Sequence, residues 1–192
     1  MTEKLHVAMD AYPGTGASAR PTWKDHLAFI RQYLPQDSSA LRDEFAELTS
    51  SLAHLTINRD TYGPIHFDFE LDNLVWREDS VGIIDFDDCS HLWYAADIAF
   101  ALGDLFEENV DLGNKRFRAF VGGYSERRDV DPNLRFYVPM FLRFGDLLRY
   151  ARIVRAVDLP VRTEHPDLLA GLSRKLQDRM TEYRASVESS GA

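Results

Sequence analysis

The chain has 192 residues, of which 45% are hydrophobic and 12% aromatic, so it is long enough to bury one sizeable core. Its 22 basic and 31 acidic residues give a formal charge of −9, which opposes non-specific binding to nucleic acid or anionic membranes and suits a cationic ligand. The single cysteine, Cys89, excludes an internal disulfide, and no run of about 18 apolar residues predicts a membrane span. Because the N-terminus has no apolar leader, we expect a cytoplasmic protein.

The first residues predict a linker or hinge. Residues 11–21 are rich in Pro, Gly and Ser, and Gly14-Thr15-Gly16 follows a proline rather than a strand. A linker accounts for this glycine pair, and the chain contains no Walker A pattern. We therefore expect a linker over residues 1–21, a single lobe over 22–188 and a frayed tail over 189–192.

Two amphipathic helices are predicted next. The first begins after Thr22 as its N-cap, and the second is capped by Ser38 or Ser39. Apolar residues recur along the second helix at spacings that alternate between four and three, which predicts packing in a core rather than a coiled coil. The apolar positions are Trp23, Leu27, Ile30 and Leu34 in the first helix, and Leu41, Phe45, Leu48, Leu52 and Leu55 in the second.

An acidic motif follows, in which Asp68 lies five positions before Asn73 and a further aspartate, Asp85, ends the apolar run that begins at Val81. In phosphoryl transfer by kinases, one Asp accepts the proton of the substrate hydroxyl, while an Asn and another Asp hold metal ions against the nucleotide phosphates. Hard oxygen ligands suit magnesium better than zinc. The motif therefore predicts Asp68 as the catalytic base, with Asn73 and Asp85 as magnesium ligands.

A hairpin is predicted between the two halves of this motif. Residues 74–76 and 81–84 are short apolar runs, and the polar Arg77-Glu78-Asp79-Ser80 separates them. Since a hairpin returns the chain to the end at which it began, Asn73 and Asp85 are expected at the same end.

Helices are predicted for most of the remaining chain. Apolar periodicity indicates helices over residues 94–106 and 115–126, and a long helical segment over 134–157 that is interrupted near Pro139. A last helix presents Leu169, Leu172, Leu176 and Met180.

Three ordered motifs, residues 65–73, residues 84–88 and Asp97-Ile98-Ala99, resemble the aminoglycoside phosphotransferase family of small-molecule kinases, a group that includes choline and homoserine kinases. The resemblance implies an α+β, mainly helical fold, namely the C-terminal lobe of a protein-kinase-like fold with a small catalytic β-hairpin. It implies transfer of the γ-phosphoryl group of ATP or GTP to a hydroxyl acceptor with the help of Mg²⁺. It also implies that His66 shapes the catalytic loop and that Asp97, at a helix start, braces the backbone of that loop.

The resemblance does not extend to the N-terminal lobe of that family, which carries a nucleotide-covering loop and a phosphate-gripping Lys. Only 65 residues precede the catalytic loop here, and they do not resemble that lobe. We therefore expect a truncated or split form that is weakly active or inactive alone. A separate N-lobe chain or a homodimer contact would cover the exposed face.

Several residues of the motif have more than one interpretation. The carboxylates of Glu70, Asp72, Asp87 and Asp88 are candidates for binding substrate ammonium groups or a second metal, or they are solvated turn charges, with Asp87 favoured for the site. His66 is not expected to bind zinc, because no Cys or His lies at metal spacing from it. Asp97 alone would also fit a charge that interacts with a helix dipole.

Two other functions stay open. Residues 81–87 resemble the strand of a haloacid-dehalogenase phosphatase, with Asp85 as nucleophile and Asp87 as general acid, although that family expects the strand near the start of an alternating α/β chain. The second open function is that of a non-catalytic binding module, in which a kinase lobe serves as the partner of another chain. The acceptor is not defined by the sequence, and candidates are amino alcohols, aminoglycosides, homoserine-like metabolites or a protein Ser/Thr.

Overall fold

The computed structural model describes residues 2–11, 20–78, 80–106, 110–157 and 166–190. The chain forms two compact units, of which the first comprises Met1–Trp23 and Thr56–Leu142 and the second Lys24–Leu55 and Arg143–Ala192. The described residues are mainly helical, with two small antiparallel sheets of two strands each. The predicted fold class is therefore confirmed.

Elements are numbered in chain order. The helices are α1 (Thr2–Ala11), α2 (Trp23–Tyr33), α3 (Ser39–Ala53), α4 (Tyr94–Ala101), α5 (Lys115–Ser125), α6 (Leu134–Val157) and α7 (Pro166–Ser190). The strands are β1 (Tyr62–Ile65), β2 (Leu74–Arg77), β3 (Ser80–Ile83) and β4 (Ser90–Trp93), and short 3₁₀ helices cover Leu71–Asn73 and Gly103–Phe106. Within these described segments, none of the helices combines the length and the hydropathy needed to cross a membrane.

The first unit contains a sheet that the sequence analysis did not predict. Strand β1 pairs antiparallel with β4, with Tyr62 opposite Trp93 and Ile65 opposite Ser90. The strand is short and contains Pro64, which cannot donate a ladder hydrogen bond and is tolerated at a sheet edge. This pairing brings together the two ends of residues 66–89, the segment that carries the acidic motif.

Helix α1 lies in the segment that was expected to be a linker. It packs against β1 and α5, and both Leu5 and His6 are buried. Residues 2–11 therefore differ from the expectation, because this helix has its own buried contacts. Gly14-Thr15-Gly16 lies outside the described residues, and its assignment to a linker stays a prediction.

The second unit contains the two helices predicted from apolar periodicity. Ser38 caps α3, since its Oγ accepts a hydrogen bond of 3.4 Å from the backbone N–H of Leu41. The predicted stripe is mostly buried, including Leu27 and Ile30 of α2, Leu41, Leu48 and Leu52 of α3. These apolar faces confirm the prediction of core packing.

The predicted interruption near Pro139 is wrong. Helix α6 runs continuously through this residue from Leu134 to Val157. A proline inside a helix removes one hydrogen bond and crowds the preceding turn. Here Val138 and Phe141 on either side are fully buried, so packing outweighs the lost bond. A smaller difference concerns residues 94–106, where the helix ends at Ala101 and a 3₁₀ turn follows.

In the second unit, an arginine of α6 binds two acidic residues of α3. Arg143 donates from Nε and Nη2 to the two carboxylate oxygens of Glu44, at 2.8 and 2.5 Å, and from Nη1 to Glu47 at 2.9 Å. The side chain of Glu44 is only 12% exposed. Bidentate pairs of this kind contribute more than exposed ion pairs.

We expect Arg143→Met to lower the free energy of unfolding by about 1 to 2 kcal/mol at neutral pH, because it removes all three charge-assisted hydrogen bonds. The hydrogen bond from Arg143 lowers the pKa of Glu47 below its usual value of 4.5. That part of the stability is present above about pH 4.5 and is lost as the pH falls through the lower native pKa. The difference between wild type and variant, measured by urea denaturation at neutral and acidic pH, should therefore shrink in acid.

The matched control is Arg149→Met, which removes an exposed pair with Asp146 on the same helix. We expect this variant to lose less than about 0.5 kcal/mol. Equal losses in the two variants, or a difference for Arg143→Met that grows in acid, would contradict the account.

Candidate active site

The loop that carries Asp68, the candidate base, contains a residue with a left-handed backbone conformation. Phe67 has a φ of 74°, which a non-glycine residue adopts only at a cost of about 1 kcal/mol or more. Asp97 of α4, which is fully buried, binds this part of the loop through both carboxylate oxygens. Its Oδ1 accepts a hydrogen bond of 2.8 Å from the N–H of Phe67, and its Oδ2 accepts one of 3.4 Å from the N–H of His66. Asp97 thus holds the backbone next to Asp68.

Asp68 and Asn73 are in direct contact. The Nδ2 group of Asn73 donates to the backbone carbonyl of Asp68 at 2.8 Å and to its Oδ2 at 3.0 Å. The turn between them is closed by hydrogen bonds from the N–H of Glu70 to the Asp68 carbonyl and from the N–H of Asn73 to the Glu70 carbonyl. Because Nδ2 is engaged with Asp68, Oδ1 is the atom through which Asn73 could bind a cation.

The predicted hairpin is confirmed. Strands β2 and β3 pair antiparallel, with Leu74 opposite Ile83 and Arg77 opposite Ser80. The N–H of Ile84 then donates to the carbonyl of Asn73 at 3.0 Å, which continues the pairing by one step. Asn73 and Asp85 therefore lie at the same end of the hairpin, as the sequence predicted. Asp85 is exposed and has a φ of 61°.

His66 connects the loop to the returning strand. Its Nε2 lies 2.9 Å from the carbonyl oxygen of Ile84, and its ring packs on Phe69 and Phe86. A carbonyl can only accept, so Nε2 carries the hydrogen. The ring is fully buried, and Nδ1 has no hydrogen-bond partner among the residues that the structure describes. Within the same part of the chain, no three His, Cys, Asp or Glu side chains gather as a metal-binding group.

The remaining acidic candidates lie on the surface around this hairpin. Four side chains are exposed, namely Glu70, Asp72, Asp87 and Asp88. The turn that follows Asp85 is anchored through its backbone, because Arg20 donates to the carbonyl of Asp87 at 3.0 Å and the N–H of Cys89 donates to Phe86. Burial raises the pKa of the Cys89 thiol above its usual range. The roles of the four carboxylates as substrate or second-metal ligands stay predictions.

Comparison with known proteins identifies the family. Residues 2–136 match the model of the phosphotransferase enzyme family. The chain belongs to the phosphotransferase enzyme family. Over 187 residues, the chain is 25% identical to the amicoumacin kinase of Bacillus subtilis (strain 168), covering 92% of this chain and 56% of that protein. It is 29% identical over 155 residues to the homoserine kinase of Caulobacter sp. (strain K31), covering 76% of this chain and 47% of the kinase.

Solved structures of similar fold are also kinases. One is amicoumacin kinase hAmiN in complex with AMP-PNP, Ca²⁺ and Ami, with a TM-score of 0.74 and 23% identity over 98% of this chain and 56% of that one. Another is the microcompartment-associated aminopropanol kinase, with a TM-score of 0.66 and 22% identity over 97% of this chain and 58% of that one. At these identities the likeness shows the fold. The chain spans about half the length of the curated relatives it matches.

Neither alternative function is favoured by these findings. A haloacid-dehalogenase-like phosphatase needs its aspartates at the end of a strand in an alternating α/β chain, whereas β3 belongs to an antiparallel hairpin of two strands. The same hairpin lies within residues 2–136, which match the phosphotransferase enzyme family. A non-catalytic lobe is not favoured either, because the matched family and the similar proteins are phosphotransferases and kinases.

Apolar side chains are exposed around the β2–β3 hairpin. Leu71 is 80% and Trp76 67% exposed, and Val75 and Ile84 are about half exposed. Val75 and Trp76 are consecutive in β2, so they point to opposite faces of the hairpin, and large apolar groups are exposed on both faces. These exposed groups are compatible with a separate N-lobe chain or a homodimer contact that covers the hairpin. That covering contact stays a prediction.

Two residues near the site were missed by the sequence analysis. His6 of α1 is fully buried, and its Nε2 lies 2.8 Å from Oδ2 of Asp97. Its Nδ1 lies 2.9 Å from the hydroxyl of Tyr124 on α5. His6 is 91 positions from Asp97 and 118 positions from Tyr124 in the sequence, so no local sequence pattern connects these residues. The feature that singles out His6 is its complete burial, which the structure shows and the sequence does not.

Proposed function

We propose that this chain is the catalytic part of a small-molecule kinase, which transfers the γ-phosphoryl group of ATP or GTP to a hydroxyl acceptor with the help of Mg²⁺. The observation that carries the proposal is the contact of Asp68 with Asn73, at the end of the hairpin from which Asp85 projects. A base beside two oxygen ligands is the arrangement that phosphoryl transfer requires.

Asp68 is assigned the role of the base that orients and deprotonates the acceptor hydroxyl. Its Oδ2 accepts from Asn73 at 3.0 Å, which fixes the carboxylate and leaves Oδ1 for the hydroxyl. General base catalysis of this kind contributes about 10² to 10⁴ in rate. His66 and Asp97 support the loop rather than react, since both are fully buried and bind its backbone or the adjacent strand.

The donor set fits a magnesium ion. Oδ1 of Asn73 and the carboxylate of Asp85 are hard oxygen ligands, and Mg²⁺ usually takes only one or two protein ligands beside phosphates and water. Asp85 is exposed, so it can reach a nucleotide that lies on the hairpin end. When bound, the ion supplies charge neutralisation at the phosphates.

The proposed acceptor is a small hydroxyl compound with a positive charge. Kinases named for homoserine and aminopropanol are among the similar proteins, and both compounds carry an amine as well as a hydroxyl. The formal charge of −9 favours such an acceptor. Glu70, Asp72 and Asp87 are the candidates for binding the ammonium group or a second metal.

We expect the isolated chain to be weakly active or inactive. The phosphate-gripping Lys and the nucleotide-covering loop expected for the family have no recognisable motif in this sequence. The exposed Leu71 and Trp76 support a covering lobe, supplied by a separate chain or by a homodimer contact. The 192 residues would then act in the cytoplasm as one part of the complete kinase.

The test is transfer of labelled phosphate from Mg-ATP to a panel of amino alcohols, homoserine and aminoglycosides, at high protein concentration and with Asp68→Asn as the matched variant. We expect slow, magnesium-dependent transfer that is at least about 100-fold slower in the variant. Equal transfer by both proteins would contradict the role of Asp68. Fast transfer by the wild-type chain would contradict only the expectation that it needs a covering lobe.

A further inference from the structure

We propose that His6 is a positioning residue of the catalytic loop, which acts through Asp97. The inference rests on the proposed function for its consequence, but the contacts that carry it do not depend on that function. The side chain of His6 binds the same Asp97 carboxylate that accepts hydrogen bonds from the loop N–H groups of His66 and Phe67.

The contacts form a continuous path. His6 donates from Nε2 to Oδ2 of Asp97 at 2.8 Å, and Asp97 accepts at Oδ1 from the N–H of Phe67, also at 2.8 Å. Phe67 directly precedes the proposed base, Asp68. Because the left-handed φ of Phe67 is unfavourable on its own, the direction of its N–H depends on the acceptor being held in place.

The ring of His6 is itself fixed on its far side. Its Nδ1 lies 2.9 Å from the hydroxyl of Tyr124, a group that can either donate or accept a hydrogen bond. The ring of Tyr94 lies 4.6 Å away, centroid to centroid. All four side chains, His6, Asp97, Tyr94 and Tyr124, are buried, so water cannot replace a lost hydrogen bond without opening the structure.

The geometry gives His6 a role in catalysis that a purely packing residue lacks. If the Asp97 carboxylate rotates, the Phe67 N–H loses its partner and the next residue moves with it. A displacement of about 1 Å at a catalytic group can cost about 100-fold in rate. His6 therefore restricts the position of Asp68 without touching the substrate.

The experiment compares His6→Leu with His6→Gln by amide hydrogen exchange measured with NMR on the whole chain. Leucine removes the donor, whereas the glutamine amide can place a donor near the position of Nε2. We expect the Phe67 amide to exchange at least about tenfold faster in His6→Leu, and within about threefold of wild type in His6→Gln. Amides of the β2–β3 hairpin should change less than that of Phe67.

Two further variants keep the result interpretable. Phe117→Leu removes packing against Phe106 in the same unit without touching Asp97, so any loss of exchange protection should not be selective for Phe67. If His6→Leu does not fold, Tyr124→Phe removes the hydroxyl that fixes the imidazole and should raise Phe67 exchange by at least about threefold. An unchanged exchange rate of the Phe67 amide in folded His6→Leu would overturn the proposal. If His6→Leu does not fold, an unchanged rate in Tyr124→Phe would do the same. Equal acceleration of Phe67 exchange in His6→Leu and His6→Gln would also overturn it.

The hydrogen-exchange result is independent of the phosphoryl-transfer test, because hydrogen exchange needs neither nucleotide nor acceptor. Where transfer is measurable, His6→Leu should lower kcat and leave the KM for Mg-ATP nearly unchanged, with recovery in His6→Gln. Absence of phosphoryl transfer in every protein would sink the kinase proposal and leave the exchange result to decide the role of His6.

Discussion

Asp97→Leu is expected to lower the free energy of unfolding by about 3 to 5 kcal/mol, the range seen when one member of a buried charged network is removed. The substitution leaves three buried donors without their acceptor, namely the N–H groups of His66 and Phe67 and Nε2 of His6. It also releases the strained backbone at Phe67. Urea denaturation followed by the fluorescence of the first unit's tryptophans measures the loss.

Asp104→Leu is the matched control, because it removes an exposed carboxylate from the same unit. We expect this control to change stability by less than about 0.5 kcal/mol. A loss of less than about 1 kcal/mol in Asp97→Leu would mean that the carboxylate does not hold the loop. The catalytic loop would then owe its conformation to other contacts.

The second large effect concerns nucleotide binding. Asp85→Asn should weaken magnesium-dependent binding of ATP by at least about 100-fold, because an anionic metal ligand becomes a neutral one. The variant should fold normally, since Asp85 is exposed and asparagine tolerates its left-handed φ of 61°. Titration calorimetry with and without Mg²⁺ measures the effect directly.

Asp68→Asn provides the matched charge change at the neighbouring position. This residue is proposed to act on the acceptor, so its substitution should alter Mg-ATP affinity by less than about threefold. If both variants lost affinity equally, the effect would be one of net charge rather than ligation. Wild-type affinity in Asp85→Asn would contradict the assignment of Asp85 as a metal ligand.

The parts of the fold that could be predicted from the sequence are those with a short-range signal. The β2–β3 hairpin is encoded by two apolar runs around a polar turn, and Glu78 in that turn adopts the positive φ typical of tight hairpins. The Ser38 cap and the leucine stripe of α3 follow from local rules in the same way. The placement of Asn73 and Asp85 at one end of the hairpin was therefore predictable.

The parts that could not be predicted depend on contacts between distant residues. The pairing of β1 with β4 has no turn signal, and Pro64 argues against a strand. Helix α1 is stabilised by contacts of its buried face with β1 and α5, which no local propensity reveals. The positive φ of Phe67 could not be predicted either, because its N–H is bound by Asp97, a residue of helix α4 that lies 30 positions away.

NMR with Mn²⁺ in place of Mg²⁺ would show whether Asn73 and Asp85 hold a divalent cation together with the nucleotide. With AMP-PNP present, the account predicts paramagnetic broadening of the Asn73 side-chain amide and of the backbone N–H groups around Asp85. The second unit has a separate acidic cleft of about 840 Å³ that is lined by Asp37, Asp43 and Glu188. Broadening confined to that cleft, or none at the hairpin end, would contradict the account.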